Sequence, residues 1–268
     1  MRSEAAKALK KMNTSESRTA LAQSLAQPDA RVRRDVVDAL SAFHHPEAWQ
    51  ALWQQSLVEK NPGVLSAIIH TWGARAGEKD VTLALWNFLA KKSYHSAIAA
   101  AAISALRAQD DGLAMPVILS QIGGILSELD VREKAQVFES LGFLARDEAN
   151  PSHRDVFALL AKQLGNDDEK LRAAAVKSLG LLRDPKGLAL LRPLVAVQKP
   201  YNDPVRAAAE KSIQALEAEQ VKPQEFKDVW TKMQELQKKT EEMEKQIEKL
   251  GKKAAPEKPA ATAKPAGK

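Results

Sequence analysis

The chain has 268 residues, of which 44% are hydrophobic and 5% aromatic, so it is long enough to bury a sizeable core. It contains no cysteine, which excludes disulfide frameworks and thiolate chemistry. Its formal net charge is +6, but residues 252–268 alone contain five Lys and one Glu. The rest of the chain is therefore close to neutral, without the dense positive charge of a nucleic-acid-binding domain.

The first clear pattern along the chain is the stretch from Asp29 to Phe43. Its apolar residues, from Val32 to Leu40, recur at helical spacing and predict an amphipathic helix. Asp29 stands at the N-cap position, where a short side-chain oxygen accepts from free backbone N–H groups. The pattern returns at residues 168–182 and 202–216, and a shortened copy opens the chain.

Seven copies align when the counterpart of Leu40 in each is taken as its anchor. Neighbouring anchors lie 31 to 38 residues apart, a period typical of stacked helical repeats. The residue before each anchor is small, which lets a neighbouring helix approach closely. The anchors are Leu9, Leu40, Trp72, Leu106, Leu141, Leu179 and Ile213.

Breaks at Pro, Gly and Asp divide the chain into an opening helix and six helix pairs. We therefore expect an all-α fold, a solenoid of stacked antiparallel helix pairs over residues 1–218. The predicted pairs are 15–26 with 30–43, 47–57 with 62–74, 80–91 with 93–108, 113–127 with 131–145, 154–164 with 169–182, and 186–197 with 204–218.

The paired helices, the Asp in the turn and the "VR" or "LR" dipeptide resemble HEAT repeats, including the HEAT-like repeats of phycobilisome lyases. In that family, Asp and Arg at these positions often form a hydrogen-bond ladder between adjacent repeats. The resemblance implies such a ladder here, interrupted in the two copies where Leu65 and Ala99 replace the Arg. Phosphate binding is the alternative role for the arginines. The implied ladder residues are Asp29, Arg33, Asp168, Arg172, Asn202 and Arg206.

A second segment, residues 223–250, carries apolar residues at alternating spacings of three and four. This heptad pattern predicts a long coiled-coil helix that pairs with a second copy, pairs with another protein or caps the solenoid. Thr240 and two Met weaken the seam. Residues 251–268 are rich in Lys, Ala and Pro and are predicted to be disordered. The seam residues are Phe226, Val229, Met233, Leu236, Met243, Ile247 and Leu250.

No pattern for catalysis, metal binding or a cofactor stands out. The HExxH spacing of zinc proteases is absent from the sequence, and the "HHPE" run at residues 44–47 is a weak candidate for metal ligands. We therefore expect no cofactor and no enzymatic activity within these residues. Arg31 and Arg34 are expected to be solvated charges.

Aromatic residues cluster in the third and fourth copies. Trp49 and Trp53 share one face of a helix, and Trp86 and Tyr94 belong to the next copy. Trp and Tyr are enriched in binding hot spots. These four are candidate partner-binding residues, with packing in the core as the alternative.

The leading functional hypothesis is a non-catalytic scaffold that binds another protein or a preceding domain of the same polypeptide. The final copy and the charged heptads resemble the C-terminal HEAT-like region of bacterial alanyl-aminopeptidase-type zinc metallopeptidases, which implies an accessory role beside a zinc domain. Nucleic-acid binding is a further, less favoured alternative. The first copy lacks its first helix, so we expect a C-terminal piece of a longer protein, and the sequence alone does not assign a compartment.

Overall fold

The computed structural model describes residues 1–196 and 203–219, and beyond them residues 232–234, 236, 237, 239, 240 and 243. No strand occurs among these described residues, so the all-α prediction is confirmed. The chain divides into two compact units, Met1–Glu217 and Ala218–Lys268.

The described residues up to 219 form thirteen α-helices, with short 3₁₀ turns at Ser24–Ala26, Tyr94–Ser96 and Gly112–Ala114. The helices are α1 (Arg2–Met12), α2 (Ser15–Gln23), α3 (Ala30–Leu40), α4 (Pro46–Val58), α5 (Pro62–Trp72), α6 (Lys79–Leu89), α7 (Ala97–Gln109), α8 (Met115–Glu128), α9 (Val131–Leu144), α10 (His153–Gln163), α11 (Glu169–Leu182), α12 (Gly187–Ala196) and α13 (204–219).

The helices of the first unit form two layers. The odd-numbered helices stack side by side, and the even-numbered helices pack against them from one side. Neighbouring odd-numbered helices contact each other more extensively than neighbouring even-numbered ones. The stack therefore curves, with the odd-numbered helices on its concave side; we call these helices the concave layer.

Side-chain caps begin most helices of the concave layer at the positions that the repeat register predicts. Asp29, Asn61, Asp130 and Asp168 each accept a hydrogen bond from a backbone N–H in the first turn that follows. The helix α13 is capped by Asp203, which accepts from the Val205 N–H at 2.9 Å. The predicted cap, Asn202, lies outside the described residues.

The fourth copy departs from this rule. Its register places His95 at the cap, but His95 has a left-handed φ of 51° and does not cap α7. The Ser93 hydroxyl instead accepts from the Ile98 N–H at 3.1 Å. A 3₁₀ turn, Tyr94–Ser96, therefore precedes this helix.

Burial of the anchors confirms the repeat register. The five central anchors are at most 1% exposed, whereas the terminal anchors Leu9 and Ile213 are half-buried. Each central anchor has a neighbouring repeat on both sides. Stacking therefore supplies the core that a single helix pair lacks. The central anchors are Leu40, Trp72, Leu106, Leu141 and Leu179.

Glycines permit the closest helix contacts of the concave layer. A Cβ added at Gly142 would lie 2.3 Å from the Ser178 carbonyl oxygen, and one at Gly180 would lie 2.7 Å from Ser212 Oγ. Both glycines directly follow an anchor, and both serines directly precede the next one. The sequence predicted the small serine positions but missed the glycines that face them.

In the second unit, the described seam residues Met233, Leu236 and Met243 are helical and exposed. The other seam residues, Phe226, Val229, Ile247 and Leu250, lie outside the described residues, as does the predicted disordered tail. The heptad seam therefore stays a prediction.

Candidate interaction surface

The described residues offer no group of three or more His, Cys, Asp or Glu side chains arranged to hold a metal ion. In the "HHPE" run, His45 Nδ1 accepts from the Glu47 N–H at 3.4 Å and so caps α4. Within the same described ranges, no helix combines the length and hydropathy needed to cross a bilayer.

Trp49 and Trp53 pack around the buried anchor Trp72. Their ring centroids lie 5.9 Å and 5.2 Å from that of Trp72, and 5.9 Å from each other. Both rings are half-buried against the core, and the Arg75 guanidinium lies 4.4 Å above the Trp49 ring. Such contacts favour a packing role for these two candidates.

The other two aromatic candidates lie in different surroundings. The Trp86 indole N–H donates to Asp111 Oδ2 at 2.9 Å, and its ring is half-buried. Tyr94 is 79% exposed. Of the four aromatic candidates, Tyr94 thus offers the most surface to a partner.

Two of the repeat arginines, Arg33 and Arg172, hold the turn that precedes their own helix. Arg33 donates to the carbonyls of Gln27 and Pro28, and Arg172 donates to those of Asn166 and Asp167. Asp29 and Asp168 act as caps in these turns. The final copy differs, since Arg206 donates to Glu210 on its own helix. Asn202 lies outside the described residues.

Arg33 also contacts the neighbouring repeat, and its partner there is Glu59 and not an Asp of the predicted ladder. Its guanidinium donates to both carboxylate oxygens of Glu59, at 2.8 and 2.9 Å. Glu59, which follows α4, also accepts from the Gln55 side chain and the Asn61 N–H. Burial alone would raise the pKa of Glu59, but these hydrogen bonds lower it to about 2. Glu59 was not among the residues that the sequence pointed to.

The middle of the concave layer contains an open groove of about 690 Å³, which we call the central groove. Its floor consists mostly of small residues from α5 and α7, so helix backbone lies near the surface. Arg34 and Arg107 line it together with Glu133 and Glu139. The floor residues are Gly63, Ser66, Ala67, Ala97, Ala100, Ala101 and Ser104.

Charge in the central groove is mixed and unevenly paired. Arg107 lies 3.8 Å from Glu139, whereas the Arg34 side chain makes no hydrogen bond or ion pair with any described residue. Lost hydration, followed by the nearby charge of Arg34, lowers the pKa of His70, which also lines the groove. The groove therefore presents an available guanidinium beside a neutral imidazole at neutral pH.

The residue two positions before each anchor forms a row along this face, which we call the groove row. His70, Ser104 and Glu139 line the central groove, and Lys177 Nζ lies 2.8 Å from Glu139 Oε1. This row was not among the residues predicted from the sequence, although it lies two positions before each anchor. Its members are Lys7, Asp38, His70, Ser104, Glu139, Lys177 and Lys211.

One rim of the central groove carries a strained turn. His95 and Ser96 both have positive φ, 51° and 46°, a conformation rare for residues with a side chain. His95 Nδ1 lies 2.9 Å from the Glu128 carbonyl oxygen, and the Ser96 hydroxyl donates to the Glu128 carboxylate at 2.6 Å. The turn holds Tyr94 beside a cavity of about 470 Å³ that shares Gly63, Ala97 and Glu133 with the groove.

Similar solved structures are helical-repeat proteins. A karyopherin, Kap121p, solved bound to the extreme C-terminus of the protein phosphatase Cdc14p, is 14% identical with a TM-score of 0.57 over 75% of this chain. This chain spans 25% of that protein. At this identity the likeness shows the fold alone.

Two further structures have lower TM-scores. The complex of CpcE and CpcF of phycocyanin lyase from Nostoc sp. PCC7120 is 19% identical, with a TM-score of 0.44 over 80% of this chain and 88% of that one. Human deoxyhypusine hydroxylase is 20% identical, with a TM-score of 0.39 over 81% of this chain and 79% of that one. No curated protein matches the chain.

The match to a protein family agrees with the repeat anchors and with the two helix layers of the structure. Residues 1–72 and 124–214, together more than half of the chain, match a family described as HEAT repeats. Neither this match nor the structures named above link the chain to an aminopeptidase. The segment between the two matched ranges contains α6 and α7. Of the two positions at which the Arg pattern is interrupted, Ala99 lies within this segment and Leu65 lies just before it. The chain belongs to the HEAT-repeat family.

Proposed function

We propose that this chain is a non-catalytic scaffold that binds an extended segment of another protein along its concave layer. HEAT-repeat proteins in general act through interactions rather than catalysis, and stacked repeats create long concave binding surfaces. The observation that carries the proposal is the central groove, which is open, about 690 Å³ in volume and floored by small residues.

The composition of the groove suits a peptide. Its Ser and Ala floor lets the backbone of a bound segment come close to α5 and α7, where the Ser104 hydroxyl is exposed. Arg34, Arg107 and Glu133 at its walls offer charges of both signs to side chains of that segment. The karyopherin with a similar fold was solved with the C-terminal end of another protein bound, which supports this use of the architecture.

The mixed charge also favours a protein over nucleic acid. A phosphate backbone requires several cations along one surface. Glu133 and Glu139 stand among the two arginines of the groove, and such carboxylates repel phosphate. Nucleic-acid binding is thus the weaker alternative.

Site-specific photo-crosslinking in cells tests the proposal. A photoreactive residue replaces Ser104 in the groove, and the same residue replaces Ser120, an exposed serine on the even-numbered helix α8, as the matched control. We expect a discrete protein adduct from position 104 and none from position 120. Absence of a protein adduct at 104, equal adducts at both positions, or an adduct to nucleic acid would refute the proposal.

A further inference from the structure

A second cavity of about 500 Å³ lies on the concave layer between α11 and α13; we call it the C-terminal cleft. Its floor includes Leu181, Ala207, Ala208 and Ala215, so it is largely apolar. Two groove-row residues, Lys177 and Lys211, stand at its sides.

Close helix packing explains why no side chain fills the cleft. Gly180 on α11 meets Ser212 on α13, with room for no side chain between them. The Ser212 hydroxyl donates to the Val176 carbonyl at 3.1 Å and joins the two helices. With Ala at three floor positions, this joint leaves a shallow apolar trough above it.

The charge around the C-terminal cleft is positive. Among the described residues that line it, two are lysines and none is acidic. Lys177 pairs with Glu139 at 2.8 Å, but Glu139 also lies 3.8 Å from Arg107, so two cations share one carboxylate. Lys211 is exposed and makes no side-chain hydrogen bond or ion pair with the described residues. The cleft therefore has an excess of positive charge over an apolar floor.

From the apolar floor and the two lysines beside it, we infer that the C-terminal cleft binds a protein segment in which acidic residues flank an aliphatic side chain. The aliphatic group covers Leu181 and the alanines, and the carboxylates reach the two ammonium groups. The lysine stems add apolar contact beneath their charges. The inference deepens the proposed function and rests on it, since it assigns part of the bound segment to this end of the concave layer.

Nucleic acid fits this cleft less well. Single strands bind through bases stacked on aromatic rings, and the described residues that line the cleft include no aromatic ring. Duplex binding depends on several phosphate contacts, whereas these described residues supply two ammonium groups. A duplex remains a useful competitor in the test.

Selection from a random peptide library displayed on phage, with the full chain as target, tests the inference. Enriched peptides are synthesised, and their Kd is measured by fluorescence anisotropy. The variant Lys211→Glu reverses the charge that has no partner among the described residues, and Lys211→Arg retains that charge. Lys162→Glu, on the even-numbered helix α10, is the charge-matched control. We expect acidic–aliphatic peptides whose Kd rises at least tenfold with Lys211→Glu and stays unchanged with the other two variants.

The other outcomes separate the inference from the proposed function. Peptides without acidic residues, or an unchanged Kd with Lys211→Glu, overturn the inference. If the inference is overturned in this way but Ser104→Trp in the central groove blocks binding of those peptides, the proposed function stands without the inference. Failure to enrich any peptide counts against both. Displacement of the peptides by a short DNA duplex, with the same dependence on Lys211, overturns the inference in favour of nucleic acid.

Discussion

The Glu59 carboxylate lies between α4 and α5 and joins two neighbouring repeats through Arg33. Its side chain is 2% exposed, and that of Arg33 is 16% exposed. A buried carboxylate is costly unless it is paired and fully hydrogen-bonded. Glu59 meets that condition with the Arg33 guanidinium, the Gln55 amide and backbone N–H groups.

The variant Glu59→Gln should lower the free energy of unfolding by roughly 3 kcal/mol near neutral pH, because it leaves the Arg33 charge without a counterion. The pKa of Glu59 is about 2 in the folded protein, below its ordinary value of 4.5. Its contribution is therefore complete above pH 4.5 and declines as the pH falls towards 2. Urea unfolding at pH 6 and pH 3 should show a smaller difference between wild type and variant at the lower pH.

The exposed pair of Arg146 and Asp110 provides the control for this measurement, since the Asp110 side chain is 54% exposed. Asp110→Asn should cost less than about 1 kcal/mol because solvent screens the pair. An equal loss from both variants, or a Glu59→Gln difference that does not change with pH, would contradict the role given to Glu59.

At the scale of the helices, contacts in the concave layer depend on the absence of side chains at defined places. Gly142 on α9 faces the backbone of Ser178 on α11, and Gly180 on α11 faces Ser212 on α13. The same register positions meet in both contacts. At these two places, a glycine directly after the anchor lets the two helices stack closely.

Replacement of Gly142 by alanine should destabilise the protein by about 1–3 kcal/mol, because the new Cβ would lie 2.3 Å from the Ser178 carbonyl oxygen. Gly123→Ala, inside the helix α8 with no atom within 4 Å of the new Cβ, should instead stabilise by up to about 1 kcal/mol. Thermal unfolding of both variants isolates the contact, since helix propensity improves in each. Equal shifts in Tm would show that the two helices do not meet as described.

Over the whole molecule, the sequence predicted the helices and their stacking well, because hydrophobic period and N-caps are local signals. Leu40, Leu106 and Leu179 are buried as their register requires. The partner of Arg33 was not predictable in this way, since Glu59 is 26 positions away and meets it only after two repeats stack. The tryptophans were ambiguous for a similar reason, because only the packing of α4 against α5 brings Trp53 to Trp72.

One prediction from the heptad seam of residues 226–250 is that two copies of the chain associate. If residues 226–250 pair with a second copy, light scattering of the full chain should give twice its mass of 29.3 kDa. The double variant Leu236→Glu with Met243→Glu places charges on two exposed seam positions and should return the mass to that of one chain. A full chain that already has the mass of one copy would remove the homodimer.

Binding of a partner segment in the central groove can be tested on that segment itself. The most direct measurement is the Kd, by isothermal titration calorimetry, of the segment that photo-crosslinking at position 104 identifies. Ser104→Trp places an indole in the central groove, and Ser120→Trp adds the same bulk to an exposed position of α8. We expect a Kd at least tenfold higher for Ser104→Trp and an unchanged Kd for Ser120→Trp. Equal affinity in the wild type and Ser104→Trp would contradict binding in the central groove.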